Sequence, residues 1–256
     1  MRSPDPAFST RVEHCFRGGA ATYQSNATLQ AAVAARLARL ARPLASALPP
    51  GPRTDLGAGS GLLARAIEAQ LGGPSLLRLD ACGALLAQDS ISRPALHRLW
   101  NLNEGLPEEL NGASLLASSF ALQWLEQPEQ QVSRWCDALR PGGALLLAVP
   151  CSGSFRIWHQ AAAAAGVPCT ALPLPDAPAL QQRAASALHL HHSQLLRFSR
   201  PNRGARAFLH QIKAIGAQAS PAARLQQGAL RRLIHHWPGP EHAIVWHVLV
   251  LVGQKR

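Results

Sequence analysis

The chain has 256 residues, 47% of them apolar, with 25 Lys+Arg against 14 Asp+Glu and a formal charge of +11. That length suits one large α/β domain with an inserted lobe, or two small domains, and the apolar share can fill a core. No apolar run approaches the roughly 18–20 residues of a membrane span, and Met1-Arg2-Ser3-Pro4-Asp5 does not open an apolar secretory stretch. Cys15, Cys82, Cys136, Cys151 and Cys169 form no CxxC pair, which argues against a zinc ribbon or a disulfide framework. A soluble, cytoplasmic protein is expected, without a membrane or metal partner.

The excess charge is lopsided. Residues 1–150 hold 13 Lys+Arg against 12 Asp+Glu, whereas residues 151–256 hold 12 against 2, namely Asp176 and Glu241. Arg197, Arg200, Arg203, Arg206 and Lys213 crowd one stretch of that second part. Such a surface steers an acidic partner toward it.

In chain order, residues 8–24 are polar and mixed, with Phe16 and Tyr23 as anchors of a docking segment. Leu29, Val33, Leu37, Leu40 and Leu44 recur every three or four residues and predict an amphipathic helix, ended by Pro49-Pro50-Gly51-Pro52. A strand over 53–56 leads into Gly57-Ala58-Gly59-Ser60-Gly61, and a helix follows over 62–71. Further strands are predicted over 76–79, over 96–102 and over 113–118, then a helix over 128–139 and a strand over 144–149. Leu139-Arg140-Pro141-Gly142-Gly143 should reverse the chain into that strand. Alternating strands and helices imply a parallel sheet covered on both faces. Beyond Pro150, helices are expected over 154–166, 177–190, 202–215 and 221–236, with a closing strand over 243–252.

The run Asp55-Leu56-Gly57-Ala58-Gly59-Ser60-Gly61 is the strongest local signal. Its glycines let a strand turn sharply into a helix and let a ligand approach the backbone. Asp80, closing the next strand, can accept hydrogen bonds from ribose hydroxyls. A dinucleotide site favours GxGxxG, with a glycine where Leu62 stands. An acid two residues ahead of the first glycine instead resembles motif I of class I methyltransferases, which implies S-adenosylmethionine as cofactor. The same resemblance implies an adenine contact after the third strand, for which Asn101 and Asn103 are the candidates. Cys151 follows the fifth strand and reads as an inert thiol.

More of the chain carries a narrower likeness. Phe16-Arg17, Tyr23, Ala27 and Gln30 fit an F-R-x5-Y-x3-A-x2-Q pattern, and Ser118 with Ala121-Leu122-Gln123-Trp124 fits S-N-x-A-x-Q-W, with Ser119 replacing Asn. Lys213-Ala214-Ile215-Gly216-Ala217 fits K-x-I-G-A, and Trp246-His247-Val248 resembles a Tyr-containing segment. In these features the chain resembles the malonyl-acyl carrier protein O-methyltransferases of biotin synthesis.

That resemblance implies an α/β, Rossmann-like class I methyltransferase fold with a mostly parallel seven-stranded sheet and a helical lobe before the last strand. The implied division is residues 1–50 as a helical segment closing over the cofactor, 51–153 as the cofactor-binding core, 154–240 as a basic substrate lobe and 241–256 as the final strand. Asp55, Gly57, Ala58, Gly59, Gly61, Asp80, Asn101 and Ser118 are the expected cofactor contacts. Tyr23 is the expected catalytic residue. Gln123, Trp124, Arg206, Lys213 and His247 are the expected substrate contacts. The partner is an acidic acyl carrier protein bearing a malonyl thioester, and a monomer is expected. An RNA methyltransferase gripping phosphates with the same basic lobe, and a non-catalytic S-adenosylmethionine-binding module, remain the competing readings.

Overall fold

A computed structural model describes residues 6–256, so the secretory reading of Met1–Asp5 lies outside the described residues. Seven strands form one sheet in the order β3-β2-β1-β4-β5-β7-β6. They are β1 (Arg53–Leu56), β2 (Leu77–Asp80), β3 (His97–Leu99), β4 (Ala113–Ser119), β5 (Leu139–Pro150), β6 (Leu188–Arg200) and β7 (Ile244–Lys255). The first five are parallel, and β7 runs antiparallel to both β5 and β6.

The helices are α1 (Pro6–Asn26), α2 (Thr28–Ala41), α3 (Leu62–Leu71), the single turn α4 (Gly83–Leu86), α5 (Pro128–Ala138), α6 (Arg156–Ala164), α7 (Ala177–Ala187), α8 (Ala205–Ala214) and α9 (Gln227–His235). Among the described residues no helix is long and apolar enough to cross a membrane.

The apolar run in β5 follows from its position. Leu145, Leu147 and Val149 pack under α5 and α7 beside Val132, Trp135 and Leu180. Ala144, Leu146 and Ala148 pack on the other face with Val33 and Leu37 of α2 and Leu63 and Ile67 of α3. A strand buried on both faces has no polar alternation to show. A third apolar cluster, around Ile157, Trp158, Phe208, Ile212 and Leu233, joins α6, α8 and α9 into a lobe.

Three expectations need correction. The third strand is short, because Pro94–Leu96 form a 3-10 turn ahead of it. Leu139 already pairs with Ala113, so Arg140–Gly143 make an irregularity inside β5 instead of a reversal before it. Most of all, the helix expected over 177–190 ends at Ala187, and an unforeseen strand, β6, pairs with β7 from Leu188↔Lys255 to Arg200↔Ile244. As an edge strand it carries exposed His189, His191 and Gln194 and a half-buried His192, so its pattern lacks the apolar signature of its neighbours. Residues 154–240 are consequently not one lobe, since α7 and β6 belong to the sheet layer.

A buried ionic knot ties α3 to β2. Arg78, 1% exposed, donates to Glu68 (Nη1–Oε1, 2.6 Å) and to the fully buried Asp89 (Nε–Oδ2, 3.1 Å), which also pairs with Arg65 (2.5 Å). Removing one partner of such a knot strands a buried charge. Arg78→Met is expected to lower unfolding free energy by about 3 kcal/mol, read as a shift in urea midpoint with unchanged slope.

Candidate cofactor and substrate site

The glycine loop is tied down almost wholly by its own surroundings. The Gly57 and Ala58 N–H groups donate to the Leu79 carbonyl at 2.8 and 2.9 Å, and Gly61 N–H donates to Ala58 O at 2.9 Å. Gly59 N–H donates to Asp80 Oδ2 at 2.7 Å, while Asp80 Oδ1 takes Cys82 N–H at 2.7 Å. Beneath the loop, Asp55 Oδ2 accepts from Ala64 N–H at 3.0 Å, while the buried Oδ1 has no partner. Burial pushes Asp55 up to about 7, against the lowering effect of the Ala64 N–H. Burial also raises Asp80, opposed by its two backbone donors.

Above the loop lies a cavity with about 720 Å³ of empty space. Gly57, Gly59 and Asp80 form its floor, Trp100, Asn101 and Asn103 one side, and Ser119, Phe120 and Ala121 the other. The roof is one face of α1, where Ser9, Val12, Glu13, Phe16 and Tyr23 follow helical spacing. Gly57, at φ +70°, is required here: a Cβ would stand 2.2 Å from Ala121 Cβ.

A second cavity, with about 690 Å³ of empty space, lies beyond a partition made of Phe16, Tyr23, Phe120 and Trp124, which line both spaces. Phe16 meets Trp124 edge-on at 5.4 Å and Tyr23 at 6.5 Å. Phe120 adopts φ +56°, a sparsely populated conformation for a non-glycine residue. Its N–H donates to Ala148 O at 2.9 Å, and its carbonyl accepts from Gln123 Nε2 at 2.8 Å. Gln123 therefore holds the partition as well as lining the second cavity. The remaining wall is mostly apolar, including Pro150, Leu172, Leu174, Ile212 and Ile215, with Trp158 Nε1 buried and without a partner.

The sequence-derived candidates divide by location. Tyr23, Gly57, Gly59, Asp80, Asn101 and Trp124 line the first cavity. Asp55, Ala58 and Gly61 support the loop from beneath; a Cβ on Gly61 would stand 2.2 Å from Asp89 Oδ2, against the ionic knot. Ser118 turns inward to donate to Leu56 O at 2.8 Å, and its neighbour Ser119 lines the cavity with a buried, unpartnered Oγ. Arg206 and Lys213 are exposed and line neither cavity. His247 lies beside Gly153 with its N–H on Ser154 Oγ, and it too is outside both. Cys151 is buried, donates to Val149 O at 3.4 Å and is pushed up to about 11 by burial, so it stays a thiol. The roof residues Val12 and Glu13, and Ser119, were missed. The helical spacing of Ser9, Val12, Phe16 and Tyr23 was the available signal.

Gly216 explains the K-x-I-G-A segment. It ends α8 at φ +71°, and a Cβ there would stand 2.6 Å from Phe16 Cα, while one on Gly19 would stand 2.6 Å from Gly216 N. Thr22 Oγ1 donates to Ala214 O at 2.8 Å across the same contact. The motif is thus the seat of α1.

The donor pattern discriminates between cofactors. A pyrophosphate needs free N–H groups or cations, whereas the N–H groups of Gly57, Ala58, Gly59 and Gly61 are already committed and no Lys, Arg or His lines the cavity. Two carboxylates line it, Asp80 and Glu13, the latter paired with Arg17. That charge balance fits a ligand bearing a cation, as S-adenosylmethionine does.

Sheet order and loop together define a class I methyltransferase fold, and by fold the chain belongs to that class. A methyltransferase-assigned protein of Bacillus halodurans shares it, with a TM-score of 0.55 at 12% identity over 84% of this chain and 98% of that one. No family model matches the chain. Individual relatives do, and they bear out the narrower likeness. The biotin biosynthesis bifunctional protein BioCD of Bordetella avium is 31% identical over 245 residues, covering 91% of this chain and 49% of the relative. Malonyl-[acyl-carrier protein] O-methyltransferase of Alcanivorax borkumensis is 35% identical over 56% of this chain and 49% of its own length. The enzyme of that name from Magnetococcus marinus is 28% identical over 91% of this chain and 88% of its own length. The chain spans about half the length of the first two of these relatives.

Two outcomes follow. Gly216→Ala should push α1 off its seat, weakening S-adenosylmethionine binding about tenfold by calorimetry and raising hydrogen exchange along α1. Asp55, raised in the folded state, favours folding most below its unfolded pKa, and that contribution is lost as pH rises through about 7. Between pH 4 and 8 the wild type should therefore lose on the order of 4 kcal/mol relative to Asp55→Asn, read from urea midpoints across pH.

Proposed function

We propose that this chain transfers a methyl group from S-adenosylmethionine to the free carboxylate of a malonyl group carried on acyl carrier protein. The observation that carries the reading is the pair of cavities meeting at the Phe16–Tyr23–Phe120–Trp124 partition. One is lined by two carboxylates, Glu13 and Asp80. The other has no charged side chain in its wall, which suits an acyl thioester arm. The names of the relatives supply the malonyl substrate and the setting in biotin synthesis. One chain supplies the walls of both cavities, in keeping with a monomer.

S-adenosylmethionine, when bound, supplies an electrophilic methyl group on a sulfonium. The residues of this chain need only position the acceptor and exclude water, because a malonyl carboxylate is already ionised at neutral pH and requires no base. Burial, with the charges of Asp80 and Asp55, raises Tyr23 far above the usual phenol range, so it acts as a neutral hydrogen-bond donor at the junction. The carboxylate therefore meets a neutral donor in place of the Lys213 or Arg206 contact expected from sequence. The aromatic partition shields the junction from water. Methylation leaves an uncharged ester terminus, which costs far less to bury during later chain extension than a carboxylate.

With methyl-labelled S-adenosylmethionine, malonyl-carrier protein should become labelled while acetyl-carrier protein does not. Label on neither, on both equally, or on RNA instead would overturn the proposal.

A further inference from the structure

The acyl cavity continues away from the partition. It shares Gln30, Ile212, Ile215 and Trp246 with a further cleft. That cleft in turn shares Asn26, Thr28, Arg200 and Gln211 with an outer recess that also includes Arg203. The shared walls set the three spaces end to end, and their chemistry is graded. The inner part is apolar, the middle offers amides and hydroxyls, and the outer part is cationic.

The two arginines are held differently from the rest of the basic surface. Arg200, at the end of β6, donates through Nη2 to Thr28 Oγ1 at 3.1 Å, which fixes it across the mouth against the start of α2. Arg203 sits on a turn pinned by Asn202, itself 5% exposed. Asn202 Nδ2 donates to the carbonyls of Pro238 and Gly239 at 2.9 and 3.0 Å, and its Oδ1 accepts from Gly204 N–H and Trp237 Nε1 at 3.0 and 3.1 Å. Among the described residues neither arginine has an acidic partner. One guanidinium held by Thr28 and a second carried on a pinned turn, both without an acidic partner, suit a single tetrahedral anion at one mouth.

We propose that this recess binds the phosphodiester of the pantetheine arm that presents the thioester, with Arg200 and Arg203 on the phosphate and the amide-bearing arm lying past Asn26, Gln211 and Gln30. The inference rests on the methyl-transfer reading above and specifies how its substrate is gripped. The graded channel matches such an arm, which carries phosphate at one end, amides and a hydroxyl along its length, and the acyl group at the other. A carrier protein and coenzyme A share this chemistry.

The test compares three acceptors: malonyl-carrier protein, malonyl-coenzyme A and malonyl-N-acetylcysteamine, the last lacking phosphate. Arg203→Ala and the Arg200→Ala/Arg203→Ala pair should raise KM for the first two about 10- to 100-fold, as expected for lost charge-assisted bonds. kcat should change little, the truncated acceptor should be unaffected, and Arg206→Ala should leave all three unchanged. No KM change with the phosphate-bearing acceptors, or an equal loss with the truncated one, overturns the assignment. A lower KM for the carrier-bound thioester assigns the arm to the carrier, and a lower KM for the coenzyme A thioester assigns it to the free nucleotide; both support the phosphate contact. Calorimetry with 4′-phosphopantetheine separates this inference from the methyl-transfer reading. Binding by the wild type that the double variant loses supports the recess even where no methyl is transferred, and absence of binding by the wild type overturns it.

Discussion

Two backbones in contact, α1 at Phe16 and Gly19 and the end of α8 at Gly216, hold the functional half of this protein together. The sheet and its two layers of helices would form without that crossing, since their apolar clusters are complete in themselves. The site would not. α1 roofs the first cavity, and its Phe16 and Tyr23 also wall the second. The approach leaves no room for a Cβ on either glycine, so contact between lid and lobe is set by main chain, with little freedom for side chains to adjust it.

That arrangement shows why some of the molecule was readable in the sequence and some was not. The loop from Asp55 to Gly61 and the acid at Asp80 are local features, where a tight turn and a neighbouring strand end constrain residues close in the chain. They stand together as the spacing implied, although Asp55, Ala58 and Gly61 support the loop from beneath and do not line the cavity. β5 announced itself because burial on both faces forces an unbroken apolar run. β6 did not, because an edge strand tolerates polar side chains and a helix-forming alanine stretch runs directly into it. The expected substrate contacts divide: Gln123 and Trp124 line the acyl cavity, whereas Lys213, Arg206 and His247 line neither cavity. What the Lys213 segment requires is Gly216, and nothing in the sequence alone shows that a helix crosses there. Charge at Arg206 and a motif position at His247 carry no information about which cavity a side chain faces. Ser118 and Ser119 differ by one position on a strand, and strand alternation sends one inward and the other to the cavity.

Charge is sorted along the path a substrate would take. The wall of the first cavity has carboxylates and no cation, although Arg17 pairs with Glu13 behind it, an environment suited to a positively charged donor. The apolar cavity carries no charged side chain in its wall. Cations appear again at the outer recess, with Arg200 and Arg203. The net charge of residues 151–256 is therefore kept outside both cavities, where, on the proposed reading, it would attract an acidic carrier and hold a phosphate without touching the reacting carboxylate.

This separation bears directly on reactivity. A guanidinium or ammonium paired with the carboxylate would hold its position but would also withdraw the electron density that has to attack the methyl carbon. The pairing would be strongest in the ground state, where the full negative charge resides, and weaker as that charge is neutralised on methyl transfer. Binding of that kind tightens the substrate complex at the expense of the transition state. Neutral donors such as the Tyr23 phenol orient the carboxylate with a smaller ground-state penalty. A cation remote from the reaction, gripping a phosphate that does not change charge, contributes affinity equally before and during the transfer. On the proposed reading, tight binding falls at the mouth and the transfer at a junction without cations, the division of labour that a displacement between an anion and a sulfonium requires.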